Sequence, residues 1–396
     1  MQRYNLNLKG GSYTAGSTYT LVPVVRQQVV PGQTVNLDCQ LSLKTAAFTQ
    51  NVSTPCLMSM WFFYVPHRIS WDGWTDFISK QDGAPSMVTA APNSLWFEHL
   101  ATGSTISSVS SLYRRAYKNV YNEYFGSESV GSAGFAWYDD VNDDTVNSPY
   151  RTVNPDQFAS KIQLEGSVVD PEFTVTASTI PLNDFYRQMM NARSTQRSQM
   201  TGDKYVDTLA RMGVDASWMI AERPEFLGTK SALIAPHLTA NTSNTNTGEE
   251  AGRFETRLSC GVKNKHFAEH GYIVGVASVR PMLVEQQRAA TDALKKTVDD
   301  YYSADNLETK DAVDSDINGF TGDDAWTQRF GYLRNGAWIR GKDNSWIIQS
   351  TPANFKELLY PNVTTLPVGD ELGGNQFAAT CSYTMTGKTP VPVRVA

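Results

Sequence analysis

Val35-Asn36-Leu37-Asp38-Cys39-Gln40-Leu41-Ser42-Leu43 decides the fold class. Its apolar residues fall on every second position, and only an extended strand with one buried face puts such residues on one side. Upstream, Tyr19–Val30 is rich in β-branched residues and stops at Pro31-Gly32, a turn pair. Downstream, Leu57–Val65 (Leu-Met-Ser-Met-Trp-Phe-Phe-Tyr-Val) is almost continuously apolar, which predicts a strand covered on both faces. Strand signals return at Arg253–Cys260, at Gly271–Val279 and in the alternation of Phe377, Ala379, Cys381, Tyr383 and Met385. These segments run from the first thirty residues to the last twenty without a regular β-α rhythm. That excludes a doubly wound sheet and predicts a mainly β chain, a sandwich with long insertions. Jelly rolls are a common way for such strands to hide their edges.

The intervening sequence is of other kinds. Residues 1–17 are polar and Gly-rich and read as an extended N-terminal arm without a core of its own. Ser70 is placed to cap a helix on which Trp71, Trp74, Phe77 and Ile78 share a face. Residues 112–125 carry the clearest helical period. Tyr113, Ala116, Tyr117, Val120, Tyr121, Tyr124 and Phe125 form the stripe, and Arg114, Arg115, Lys118 and Glu123 are expected to face away. Residues 135–160 read as loop. Leu182–Arg193 and Lys204–Met212, the latter capped by Asp203, read as helices. The polar, low-complexity stretch 239–252 reads as a surface loop, and 284–325 as an acidic helical excursion. The expected organisation is one domain over 1–396, with excursions at 66–160, 181–252 and 284–370.

Composition narrows the function. Charged residues are 19% of the 396, below the usual quarter, while Tyr (18), Phe (17) and Trp (9) are plentiful. A weakly charged, aromatic-rich chain suits packing against copies of itself. The net charge of −6 argues against a protein that coats nucleic acid with its whole surface, so any such contact must be a local patch. The start, Met1-Gln2-Arg3-Tyr4-Asn5, lacks an apolar signal run, and no stretch reaches membrane-spanning length. The expected compartment is a reducing cytoplasm. Cys39, Cys56, Cys260 and Cys381 are then free thiols, with Cys39 and Cys381 on the buried phase of their strands, and the sequons at Asn51, Asn241 and Asn362 are chance matches.

Several motifs carry possible chemistry. His266-Phe267-Ala268-Glu269-His270 spells the inverted zinc-hydrolase signature. That chemistry needs a helix, yet Gly271 and a Val/Ile-rich strand follow at once, so turn-and-strand histidines are expected instead. Asp314-Ser315-Asp316-Ile317-Asn318-Gly319 matches the first half of a calcium loop, but Ala325 occupies the position of the bidentate Glu. Its expected reading is an acidic solvated loop, and the cluster Asp139–Asp144 is a weaker match still. No phosphate-binding loop or nucleophile elbow occurs. The expectation is no enzyme, with no catalytic, cofactor or metal residue. Basic residues gather at Arg114, Arg115 and Lys118, at Arg187, Arg193 and Arg197, and at Arg3 and Lys9 of the arm. A rival reading is a jelly-roll glycan-binding module or hydrolase built around Trp71, Asp72 and Trp74.

Five blocks, taken together, resemble the major capsid proteins of microviruses, the gokushovirus-like branch above all. They are Val30–Thr34 (VPGQT), Trp61–Trp74 (WFFYVPHRISWDGW), Arg115–Phe125 (RAYKNVYNEYF), Gly202–Tyr205 with Glu222–Gly228 (ERPEFLG), and Glu269–Pro281 (EHGYIVG…VRP). They stand in family order from about residue 19 onward. The large inserted protrusion frequent in that branch has no counterpart of similar length. The resemblance implies a single eight-stranded antiparallel jelly roll with long helical and loop insertions. It implies a structural protein of the virion, assembled in the bacterial host cytoplasm as a homo-oligomer, with pentamers in a T=1 icosahedral shell. The implied partners are a circular single-stranded DNA genome on the inner surface and other phage structural, packaging or scaffolding proteins, with no membrane.

Overall fold

The structure is a computed structural model. It describes residues 2–18, 20–47, 56–79, 83–93, 96–98, 104–125, 138, 140–142, 144, 186–187, 189–190, 222–234, 237–240, 250–281, 313–316, 329–333, 372 and 374–391. The protein is mainly β, with antiparallel sheets. Eight long strands are β1 (Gln2–Gly16), β2 (Val22–Val29), β3 (Thr34–Thr45), β4 (Cys56–Pro66), β5 (Glu225–Ile234), β6 (Glu255–His266), β7 (Gly271–Pro281) and β8 (Phe377–Val391). They form two four-stranded sheets, ordered β1-β8-β3-β6 and β2-β7-β4-β5. Every connection except the one from β4 to β5 therefore crosses from one sheet to the other.

The alternation in β3 is realised as expected. Val35, Leu37, Cys39, Leu41 and Leu43 are buried between the sheets, while Asp38, Gln40 and Lys44 are exposed. Facing them from the second sheet are Met58, Met60, Phe62 and Ile273. Cys39 and Cys381 meet inside this core with their sulfurs 3.1 Å apart, both as free thiols. The hydrogen bond to Cys381, together with burial, pushes the Cys39 thiol above its ordinary value.

Strand β4 is buried on both faces. Cys56, Met58, Met60, Phe62 and Tyr64 join the sandwich core, and Phe63 and Val65 join a second core on the outer side of the same sheet. That second core is roofed by a helix, α3 (Leu112–Tyr124), and two short helices, α1 (His67–Ser70) and α2 (Trp74–Ser79), lie before it in the chain. Ser70 ends α1 and does not cap a longer helix. Trp71–Gly73 break the helical path, and Ile78 is exposed, so the expected single helix with a common apolar face is not formed.

The N-terminal arm is extended, and it is also part of a sheet. β1 pairs with β8 along its whole length, from Gln2 opposite Val391 to Gly16 opposite Phe377. Gly10 lets Tyr383 lie across β1, because a Cβ at this position would be 2.4 Å from that ring and would displace it. The low-complexity stretch is bracketed by a two-stranded ribbon, His237–Ala240 with Glu250–Arg253. Within the acidic excursion, Val313–Asp316 is a strand paired with Arg329–Leu333, where helix was expected. Tyr186, Arg187, Met189 and Met190 are helical, whereas the rest of Leu182–Arg193 and all of Lys204–Met212 lie outside the described residues.

Leu37→Ala should lower the unfolding free energy by about 2–5 kcal/mol, since it opens a cavity between the sheets. Gln40→Ala, on the same strand but facing solvent, should change it by no more than about 0.5 kcal/mol. Denaturant midpoints of the two variants check the assignment of faces.

Candidate functional site: the polar lock around the aromatic helix

Helix α3 follows its hydrophobic stripe. Tyr113, Ala116, Tyr117, Val120 and Tyr121 are fully buried against the outer side of the second sheet. Their phenols are anchored as well as packed. Tyr113 donates to the Val25 carbonyl at 3.1 Å and Tyr117 to the Leu21 carbonyl at 2.5 Å. Tyr124, at the helix end, is partly exposed and donates to the Pro224 carbonyl at 2.6 Å.

The opposite side of the helix differs from the expectation. Arg114, Arg115 and Lys118 do not face solvent: they are 3%, 8% and 2% exposed. The reason is that Ala91, Glu98, Asn142 and Asp144 lie over them and bring hydrogen-bond partners and counter-charges. Arg114 pairs with Glu98 and donates to the carbonyls of Ala91 and Asp144. Arg115 holds the Asp144 carboxylate, at 2.6 Å from Nη2, and the Asn142 side-chain oxygen at 2.8 Å. Ser111 adds a 2.8 Å bond to Asp144, and Lys118 lies 5.4 Å from the centre of the Tyr138 ring. Asn122 exchanges two 2.7 Å hydrogen bonds with the backbone of Tyr138. Part of the Asp139–Asp144 cluster is thus the counter-charge of α3. Glu98, Asn142 and Asp144 were missed as partners. Asn142 and Asp144 had a sequence signal only in the acidic run that read as a weak cation loop, and Glu98, outside that run, had none.

Four of the five resembling blocks contribute residues here, and Gly202–Tyr205 lies outside the described residues. Glu222–Gly228 meets the helix end, where Arg223 lies 3.3 Å from Glu123 and Phe226 packs 5.6 Å from Phe63. Trp61 and Phe63 from β4 contact Phe125 at 5.1 and 5.9 Å. Arg68 pairs with Glu269 at 3.2 Å. Trp71 and Trp74 are half-buried and stack on Phe77, and Trp74 also meets the rings of His67 and His270.

The zinc-like residues go to separate partners. His266 ends β6 and shares a 3.1 Å hydrogen bond with Thr34, Glu269 is held by Arg68, and His270 stacks at Trp74. Asp314 and Asp316 lie on the short strand, opposite Tyr332 and Arg329, where a loop was expected, and Asn318 is outside the described residues. Arg187 is exposed on its helical turn; Arg193 and Arg197 lie outside the described residues. Among the described residues no His, Cys, Asp or Glu cluster suited to a metal ion occurs, and no helix is long and apolar enough to cross a membrane.

His67 is the strongly perturbed histidine of this region. Its ring lies between Trp74 and Tyr272, at 4.5 and 4.8 Å, with a buried Nδ1 that has no hydrogen-bond partner among the described residues. Burial, with a smaller effect from His270, lowers it from 6.5 to about 4. Burial lowers His270 as well.

The family model described as "Capsid protein (F protein)" matches residues 1–162 and 171–359. Among individual proteins, the chain is 21% identical over 356 residues to the "Capsid protein VP1" of Bdellovibrio phage phiMH2K, covering 67% of each chain. It is 24% identical over 160 residues to the "Capsid protein VP1" of Chlamydia phage 1, covering 36% of this chain and 27% of that one.

Two predictions test the lock. Asp144→Ala leaves Arg115 buried without its carboxylate and should cost about 3–5 kcal/mol of stability, read as a lower denaturation midpoint. The second concerns pH. The folded His67 resists protonation while the unfolded chain accepts a proton near its ordinary value, so stability is full above about 6.5 and falls as pH drops toward 4. The loss at pH 5 should be on the order of 2 kcal/mol and should shrink in His67→Phe, with His270 accounting for a remainder of the same sign. Thermal melts at pH 7 and pH 5 measure both.

Proposed function

Because this chain belongs to the phage F capsid protein family, we propose that it is the major capsid protein of a microvirus and builds a T=1 icosahedral shell of pentamers around a circular single-stranded DNA genome. The observation that carries this reading is the strand order. Sheets β1-β8-β3-β6 and β2-β7-β4-β5, with nearly every connection crossing between them, support the reading as an eight-stranded jelly roll, a fold recurrent in viral shells. The insertions between β4 and β5 and between β7 and β8 are the natural contact-makers, since the sandwich does not need them to close its core.

The mechanism is assembly without chemistry. Closed symmetry repeats one set of contacts around every axis and leaves no open ends. Interfaces of modest area then hold firmly because many act together. The protein is a virion component that assembles in the bacterial host cytoplasm, with separate packaging or scaffolding proteins as partners. The glycan-binding or hydrolytic reading is not favoured, because Trp71 and Trp74 are engaged in internal stacking with Phe77.

Purified protein, alone or co-expressed with its scaffolding partner, should sediment as capsomers or shells and show rings or closed particles by negative-stain electron microscopy. A chain that stays strictly monomeric under all of these conditions would sink the assembly reading.

A further inference from the structure

The two faces of the sandwich differ in what remains available to a partner. The second sheet is roofed by α3, whose Arg114 and Arg115 are paired with Glu98 and Asp144 and whose Lys118 lies buried against Tyr138. The first sheet, β1-β8-β3-β6, presents its outer face to solvent. Its register places Arg3, Lys9, Lys44, Arg257 and Lys388 on that face, and Lys263, in the bulge of β6, joins them through its ion pair with Asp38; Asp38 and Glu255 are the carboxylates. All eight are exposed. Six cations against two anions is a marked local excess in a chain whose net charge is −6.

The rest of the face is uncharged and rich in hydrogen-bonding groups. One row across the sheet reads Gly11, Ser382, Gln40 and Ser259. The next reads Tyr13, Thr380, Ser42 and Arg257, with Tyr13 87% exposed. Cations with hydroxyl and amide donors are what phosphate oxygens accept from without regard to sequence. An exposed tyrosine is a platform on which any base can stack. A symmetric contact with a second copy would instead set cations against cations.

We propose that the outer face of the β1-β8-β3-β6 sheet is the surface that holds single-stranded DNA, through its backbone and without sequence preference. The proposal rests on the capsid reading above and adds to it which side of the subunit faces the genome. Of the basic groups seen in the sequence, the arm contributes through Arg3 and Lys9. Arg114, Arg115 and Lys118 do not contribute, being buried.

The test is binding of a fluorescent oligothymidine of about 30 nucleotides, and of a mixed-sequence oligomer of the same length, to the full chain by anisotropy across a salt titration. The two oligomers should bind alike. In the triple variant Lys9→Gln/Arg257→Gln/Lys388→Gln, affinity at low salt should fall at least tenfold. The salt slope should shrink by about 2, at roughly 0.7 for each phosphate contact of a single strand. Lys230→Gln, on β5 and outside this face, should leave both unchanged, and matched thermal melts confirm that the variants are folded. Triple-variant binding equal to wild type, or wild type that fails to retain either oligomer at low salt, would overturn the assignment. So would a triple variant that loses shell formation but keeps its DNA affinity, since the face would then be an interface between copies. Shells imaged from the same preparations keep this separate from the capsid reading: normal shells with unaltered DNA binding overturn the face alone.

Discussion

Burial of β4 on both sides ties the two halves of this molecule together. Its even-numbered side chains fill the sandwich and Phe63 and Val65 fill the space under α3, so the two cores share one backbone. A shift of β4 by one residue would exchange the two sets and misplace both cores at once. β7 has the same double duty, with Ile273 and Val279 on one side and Tyr272 and Val274 on the other. The central strands of the second sheet thus set where α3 lies, and α3 sets where the segments carrying Glu98 and Asp144 can go.

The sandwich was legible because its strands obey simple periods. Alternation in β3 and β8 and continuous hydrophobicity in β4 are local signals, and each maps onto the burial seen. The α3 stripe was legible for the same reason. Its polar side was misread because amphipathicity reports only the face turned to the core. Whether Arg114, Arg115 and Lys118 meet water or a second layer depends on segments up to about thirty residues away that have no period of their own. β1 was read as an arm because its residues lack a strong apolar alternation: its inward positions include Gly10, Ser12 and Gly16 beside Leu6 and Leu8. Its strand character comes from a partner far along the chain.

The buried pairs of α3 are better understood as placement devices than as sources of stability. Taking Arg114 and Glu98 out of water costs about as much as their attraction returns, whereas leaving either without the other is severely unfavourable. Such a pair penalises every arrangement in which Glu98 is elsewhere. For a chain that carries long irregular segments between its strands, definite placement of those segments matters more than a few kcal/mol of extra stability. Aromatic packing alone, tolerant of sliding, would not supply it.

The pairing of β1 with β8 has a temporal side. Gln376 accepts hydrogen bonds from Thr18 across 358 positions of sequence, and the two strands continue that contact to Gln2 and Val391. At typical elongation rates the ribosome needs on the order of 20–70 s to make the second strand after the first. During that interval β1 is an unpaired edge, and its composition is one that keeps such an edge quiet: polar, glycine-bearing, with Arg3 and Lys9 spaced along it. The cationic sheet face is completed only when the last strand arrives. A nascent chain therefore cannot present that finished surface until β8 itself has been made.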